Sequence, residues 1–199
     1  MNIQKRIAEI LAAEAAAIAA VHVTPNFERA VLALRDSTGK VLTTGMGKAG
    51  HIARKFASTL CSTGTPAAYL HPGEAAHGDL GLIESDDCIV AFSTSGKTRE
   101  VLEMLRLGRH IGLRTVISVT SHAESELREL SDIVVDMGLV AEACIHGLTP
   151  SSSIVVMMAI GDAIALALME LKGFTKSDFG LRHHGGYLGK KARSNNDDE

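Results

Sequence analysis

The sequence predicts an α/β fold: a three-layer α-β-α sandwich around a five-stranded parallel, flavodoxin-like sheet. Three observations predict it. After residue 40, short apolar runs of strand length alternate with helix-length periodic patterns. The connections between them are mostly short, which suits a parallel sheet covered by helices on both faces. Five such runs occur, and neither an internal repeat nor a second domain is visible, so residues 1–192 read as one domain.

Taken in order, Asn2 to His22 reads as a helix with Ile3, Ile7, Ile10, Leu11, Ala17 and Ile18 on one side. Pro25 starts a second helix, Asn26 to Arg35, so the chain opens on two helices over residues 2–35. Asp36 to Gly39 is a turn. Val41 to Thr44 is the first strand, Gly45 to Gly50 a glycine-rich loop, and His51 to Cys61 a helix. Ala67 to Leu70 is the second strand, followed by a loop from His71 to Asp79. Cys88 to Phe92 is the third strand, with its helix over Thr98 to Ile111. Thr115 to Val119 and Ile133 to Asp136 complete the sheet, separated by a helix over Glu124 to Leu130. After a loop at Glu142 to Pro150, Ser151 to Lys172 is a long, largely buried helix. The polar run 193–199 reads as a disordered tail.

Composition narrows the function classes. The chain of 199 residues is 46% hydrophobic, with no Trp, two Tyr and five Phe, so aliphatic side chains must build the core. A net charge of −3 without a basic block argues against a nucleic-acid partner. Cys61, Cys88 and Cys144 are odd in number and widely spaced, which fits reduced thiols in a cytoplasmic protein. Met1 to Val23 carries Lys5, Arg6, Glu9 and Glu14, making it an amphipathic helix and not a signal peptide. No segment reads as reaching the ~18 apolar residues of a membrane span.

Three loops at strand C-termini carry the chemistry. Ser93-Thr94-Ser95-Gly96 links a buried strand to a helix, so free N–H groups, the helix dipole and hydroxyls converge on an anion site. The same stretch fits a relaxed P-loop, Ala91-x4-Gly96-Lys97-Thr98, but its loop is filled by side chains where a nucleotide needs glycine. Gly45, Gly47 and Gly50 match G-x-G-x-x-G, yet the next strand ends at Leu70-His71, without the acid that a dinucleotide ribose requires. His71, Glu74, His77 and Asp79 share one loop, and His183-His184 lie near the C-terminus. No helical histidine pair or thiolate pair makes a zinc site of them. His22, His110 and His122 read as ordinary surface residues.

Several stretches, in order, resemble sugar isomerase (SIS) domains of the arabinose 5-phosphate isomerase kind. They are Gly45-Met-Gly-Lys-Ala-Gly-His51, Ser62-Thr-Gly-Thr-Pro66 and His71-Pro-Gly-Glu-Ala-Ala-His-Gly-Asp-Leu-Gly81. Glu142-Ala-Cys144, Gly147-Leu-Thr-Pro-Ser-Ser-Ser153, Gly161-Asp-Ala163 and Gly173-Phe174 with Asp178-Phe179 continue the series. The match resembles the short form, without the regulatory cystathionine-synthase-type modules many members carry. The resemblance implies interconversion of ribulose 5-phosphate and arabinose 5-phosphate through an enediolate, without a cofactor. It implies Lys48, Glu142 and His183 as catalytic groups, and Gly47, His77, Ser93, Ser95, Thr98 and Ser152 as substrate contacts. No metal is required; an inhibitory ion at His77 and His183 is the metal site it allows. It also implies a homotetramer with sites at subunit boundaries. Two departures stand out: Ser95-Gly96-Lys97 where the family reads Ser-Gly-Glu, and His183-His184-Gly185 where it reads His-Pro-Gly. The alternatives are an isomerase of another ketose phosphate and a non-catalytic sugar-phosphate-binding regulator. Residues 1–40 lack a basic helix-turn-helix pattern, against a DNA-binding form.

Overall fold

The computed structural model describes residues 1–193. The sheet has five strands: β1 (Val41–Gly45), β2 (Ala67–Tyr69), β3 (Cys88–Phe92), β4 (Thr115–Thr120) and β5 (Ile133–Asp136). All pair in parallel in the order β2-β1-β3-β4-β5. The expected sheet is therefore present, and the strand order reverses at β1, where Gly45 lies opposite Phe92 of β3. In such sheets ligands collect at the carboxyl ends beside the reversal.

The helices are α1 (Ile3–Ala19), α2 (Pro25–Asp36), α3 (Gly47–Ser62), α4 (Pro72–Ala75) and α5 (Arg99–His110). They continue with α6 (Glu126–Glu129), α7 (Ser152–Leu171), α8 (Lys176–Arg182) and α9 (Gly186–Arg193). Because side chains alternate across a strand, β3 feeds two cores. Cys88, Val90 and Phe92 join Phe27 and Leu34 of α2, Phe56 and Leu60 of α3, and Met157, Ile160 and Leu168 of α7. Ile89 and Ala91 join Leu42 and Val116 under Val101, Leu102 and Leu105 of α5. Phe56 and Phe92 meet edge-to-face at 5.5 Å, and burying each ring is worth roughly 1.5–3 kcal/mol.

Four expectations change. The predicted loop at Gly45 to Gly50 is mostly helix, because α3 begins at Gly47. A Cβ at Gly50 would lie 2.6 Å from the Gly45 carbonyl oxygen, so only glycine lets the helix start this close to β1. The His71 to Asp79 loop contains α4, started by Pro72 at its first position, and reaches a 3-10 turn at Asp79–Leu82. Arg193 ends a helix; the rest of the predicted tail, 194–199, lies outside the described residues. Finally, α7 is long and apolar enough to cross a membrane, contrary to the reading of the sequence. In this fold it is the central core helix, with Val156, Met157, Ile160, Ile164, Ala165 and Leu168 buried at three- and four-residue spacing.

The N-terminal helix behaves otherwise. Asn2 caps α1 by accepting the Lys5 N–H at 3.0 Å, but no residue of α1 is buried. Ile3, Ile7 and Leu11 stand 64%, 54% and 62% exposed, so most of the predicted apolar side is uncovered in one chain, while its far end reaches the core, where Ala17 packs beside α7.

Candidate active site

Three long helices start at the carboxyl edge of the sheet. α5 follows β3 directly, and α3 follows β1. α7 runs parallel to α3: Lys55 pairs with Asp162, and further along both helices Lys172 Nζ reaches the Gly64 carbonyl and Thr65 Oγ1. The N-termini of α3 and α7 thus lie at the same edge, and the positive ends of three helix dipoles converge there.

The Ser93–Thr98 loop is held in shape by its own hydrogen bonds. Ser93 is buried; its N–H donates to the Val119 carbonyl, its Oγ accepts the Gly96 N–H at 3.1 Å and lies 3.0 Å from Thr98 Oγ1. Ser95 Oγ accepts the Lys97 N–H at 3.2 Å. Gly96 adopts φ +62°, and its carbonyl accepts the Leu127 N–H at 3.1 Å, tying the loop to α6. Thr98 is the N-cap residue of α5, but no side chain caps the helix. Its first-turn N–H groups are available to an anion, together with the Ser95 and Thr98 hydroxyls. The α3 N-terminus is likewise uncapped, with Gly47 at φ +59° and Lys48 exposed in the first turn.

α7 is different, because its N-terminus already holds an anion. Glu142 Oε2 accepts the N–H groups of Ser151 at 2.8 Å and Ser153 at 3.4 Å, and Oε1 accepts the Ser153 hydroxyl. Partial burial pushes this carboxyl up, but the Ser153 hydroxyl and the backbone N–H groups of Ser151, Ser153 and Ser152 outweigh it and leave the pKa below its ordinary value. Ser152, expected to touch substrate, is fully buried; its Oγ accepts the Ala143 N–H at 3.2 Å and closes the loop. This carboxylate clamp joins residues nine and eleven positions apart and has no signature in the sequence.

Within the same loop, Cys144 Sγ accepts the N–H groups of Leu148 and Thr149, each at 3.2 Å. Hydrogen bonds from Thr149, from its backbone and its side chain, bring the thiol down to about 7. Burial pushes Cys88 up to about 12. Alkylation by iodoacetamide, followed by peptide mass mapping, is therefore expected to label Cys144 with a midpoint near pH 7 and to leave Cys88 unlabelled below pH 9. Labelling of Cys144 that only begins above pH 8.5 would contradict this loop geometry.

His183 occupies the turn between α8 and α9. Its ring stacks on Phe179 at 3.8 Å, and Nδ1 lies 3.0 Å from the Phe179 carbonyl oxygen. A carbonyl can only accept, so Nδ1 carries the proton and Nε2 is left as the basic atom. His184 is exposed, and its ring makes no such contact among the described residues. The arm itself is anchored far from Lys48. Arg182 lies over the Phe174 ring, and Phe174 packs on Gly64. Gly64 follows the C-terminus of the 16-residue α3 and Lys48 sits at its start, so about 24 Å of helix separates this anchor from the lysine. One chain brings Lys48, the Ser93–Thr98 loop and Glu142 to one edge and anchors the arm bearing His183 at the other. His77 is exposed just after α4. Among the described residues, no three His, Cys, Asp or Glu side chains gather to hold a metal.

Comparison with known proteins gives consistent relatives. A family model described as SIS domain matches residues 33–167. The arabinose 5-phosphate isomerase KdsD of Pseudomonas aeruginosa PAO1 is 44% identical over 166 residues, 83% of this chain and 51% of that protein. KdsD of Escherichia coli K12 is 40% identical over 185 residues, 92% of this chain and 56% of that one. The chain thus spans about half the length of the curated relatives it matches. Among solved structures, a Bacteroides fragilis protein described as a candidate phosphosugar isomerase involved in capsule formation superposes with TM-score 0.90 at 41% identity. That likeness covers 94% of this chain and all of the other. An E. coli CFT073 protein in complex with arabinose 5-phosphate gives TM-score 0.87 at 41% identity, over 92% of this chain and all of that one. Sheet order, uncapped helix ends and sequence likeness agree: the chain belongs to the SIS-domain family.

Proposed function

We propose that the protein is a phosphosugar aldose-ketose isomerase that interconverts D-arabinose 5-phosphate and D-ribulose 5-phosphate. The observation that carries this reading is the 41% identity to a chain solved with arabinose 5-phosphate, covering that chain completely. The substrate's phosphate lies on the first turn of α5, among Ser95, Thr98 and the loop that Ser93 braces. A base removes the proton on C2 of the aldose and returns it to C1, while a hydroxyl proton passes from O2 to O1. Atoms and electrons balance within the sugar, so no cofactor is consumed. The intermediate enediolate carries negative charge, and the Lys48 ammonium at the α3 N-terminus supplies the compensating positive field.

Two groups are assigned to proton transfer. Glu142 is ionised at neutral pH, as a base must be, but it serves α7 until the hydrogen bonds from Ser151 and Ser153 loosen. His183, whose Nδ1 is tied to the Phe179 carbonyl, suits the transfer between oxygens through Nε2. Because its arm is anchored at the far edge of its own sheet, we assign it to the site of a neighbouring subunit. The uncovered apolar side of α1 supports an assembly of several copies, in keeping with a homotetramer. So does an apolar groove of about 570 Å³ between the end of α1, α2 and α7, lined by Ile18, Val21, Phe27, Val31, Ile164 and Leu171. Three free thiols fit a cytoplasmic location, and a role in capsule or lipopolysaccharide synthesis accords with the B. fragilis relative.

The test is incubation with pentose, hexose and heptose phosphates in deuterated water, followed by NMR. Deuterium at C2 of arabinose 5-phosphate with formation of ribulose 5-phosphate is the expected result. Exchange confined to a hexose or heptose phosphate would replace the substrate, and binding without any exchange would remove the enzyme assignment.

A further inference from the structure

The turn that carries His183 has little of the domain around it. α8 and α9 pack chiefly on each other. The last carbonyls of α8 lack intrahelical donors, as at any helix end, so something else must satisfy them. One side chain reaches one of these carbonyls and two more in the turn that follows. Arg193 Nη1 donates to the Gly180 carbonyl at 3.3 Å and the His183 carbonyl at 3.0 Å, and Nη2 donates to the His184 carbonyl at 3.0 Å.

Two glycines make this approach possible. Gly180 is buried, and a Cβ there would lie 3.3 Å from Arg193 Cγ. A Cβ at Gly189 would overlap the His183 carbonyl oxygen. α9 thus folds back closely enough for its last residue to plug the turn at which α8 ends. The planar guanidinium, with five donors in a fixed fork, can hold several carbonyls at once, and neither Lys190 nor Lys191 on the same helix offers that geometry. The ring of His183 depends on the same turn: its stack on Phe179 and its Nδ1 bond to the Phe179 carbonyl persist only while the backbone at 183 stays in place.

We propose that Arg193 is a positioning residue, which clips the carbonyls of Gly180, His183 and His184 so that the His183 imidazole is held with Nδ1 protonated and Nε2 presented outward. This rests on the assignment of His183 to the isomerase reaction, and Arg193 itself touches neither substrate nor reacting atoms. Closing the turn from the far end of α9 makes the orientation of His183 independent of the backbone stiffness of His184.

The experiment compares Arg193→Met and Arg193→Lys with the unaltered full chain, reading isomerase kinetics and the ¹⁵N NMR shifts of the His183 ring. Arg193→Met is expected to lower kcat about ten- to hundred-fold, the range for a misplaced catalytic group, while KM stays near its starting value. The His183 signals should shift from the Nδ1–H tautomer towards a mixture, and lysine should recover part of both. An unchanged kcat, a change in KM alone, or an unaltered tautomer in Arg193→Met overturns the proposal. Should circular dichroism show that variant unfolded, Arg193→Lys decides: partial loss of kcat at constant KM supports the clip, and full activity overturns it. If the unaltered chain isomerises no sugar phosphate, the function assigned above fails, and the tautomer measurement still decides the role of Arg193.

Discussion

Mixing two inactive variants, Lys48→Ala and His183→Ala, is expected to restore isomerase activity. Each variant alone should lose about 10²- to 10⁴-fold in turnover, the usual contribution of a charge-stabilising or proton-transferring group. Lys48 lies in the first turn of α3 at the carboxyl edge of the sheet, and the α8–α9 arm is anchored by Phe174 and Arg182 beside Gly64, at the other end of that helix. If each site takes its lysine from one chain and its histidine from another, half the chains in an equal mixture supply a working lysine and half a working histidine. Random reassembly then yields about one quarter of the unaltered activity. The measurement is turnover on arabinose 5-phosphate after joint unfolding and refolding, with each variant refolded alone as the control. If both groups came from the same chain, every site would carry one lesion and the mixture would stay inactive.

What the sequence could reveal followed the range of the interactions involved. The Ser93 to Thr98 loop was legible as a strand-to-helix turn because its ingredients are local: an apolar run, a glycine that accepts φ +62°, and a helix that follows at once. The start of α3 was misplaced because Gly47 and Gly50 look like loop residues. Gly50 is there for the opposite reason, since its missing Cβ lets a helix begin against the Gly45 carbonyl.

Glu142 was recognisable as a carboxylate of interest, but its grip on Ser151 and Ser153 joins the two ends of a loop that lacks periodicity. Adjacent identical letters do not distinguish His183 from His184; in the fold it is the His183 ring that stacks on Phe179. α8 and α9 are short and rich in charge, and the contact that closes them runs from Arg193 back to Gly180. Composition alone put Arg193 in a tail. For α1 the amphipathic pattern was plain from the start, and the fold adds that one chain leaves most of it exposed.

The second large effect is expected from Gly96→Ala, which should both destabilise the chain and abolish tight binding of the sugar phosphate. Two independent penalties meet at this position. At φ +62° a side chain pays backbone strain of about 1–3 kcal/mol. The added Cβ would also lie 2.6 Å from Ser125 Cβ and 3.0 Å from Thr120 Oγ1. Ser125 and Thr120 are both buried, so neither can swing into solvent to make room, and overpacking of this kind costs typically another 1–3 kcal/mol. The loop's escape is to move away from α6, giving up the Leu127 N–H bond to the Gly96 carbonyl and the Gly96 N–H bond to Ser93 Oγ. That motion rotates the N–H groups and hydroxyls off the phosphate, so binding suffers even where folding survives. Urea unfolding and calorimetric titration with arabinose 5-phosphate would measure the two losses separately. Placing Gly96→Ala in a Ser125→Gly background divides them further. Removing the Ser125 side chain should relieve the overlap and recover part of the stability, while the strain at φ +62° remains. Equal stability and affinity in Gly96→Ala and the unaltered protein would mean that the loop does not hold phosphate in the conformation described.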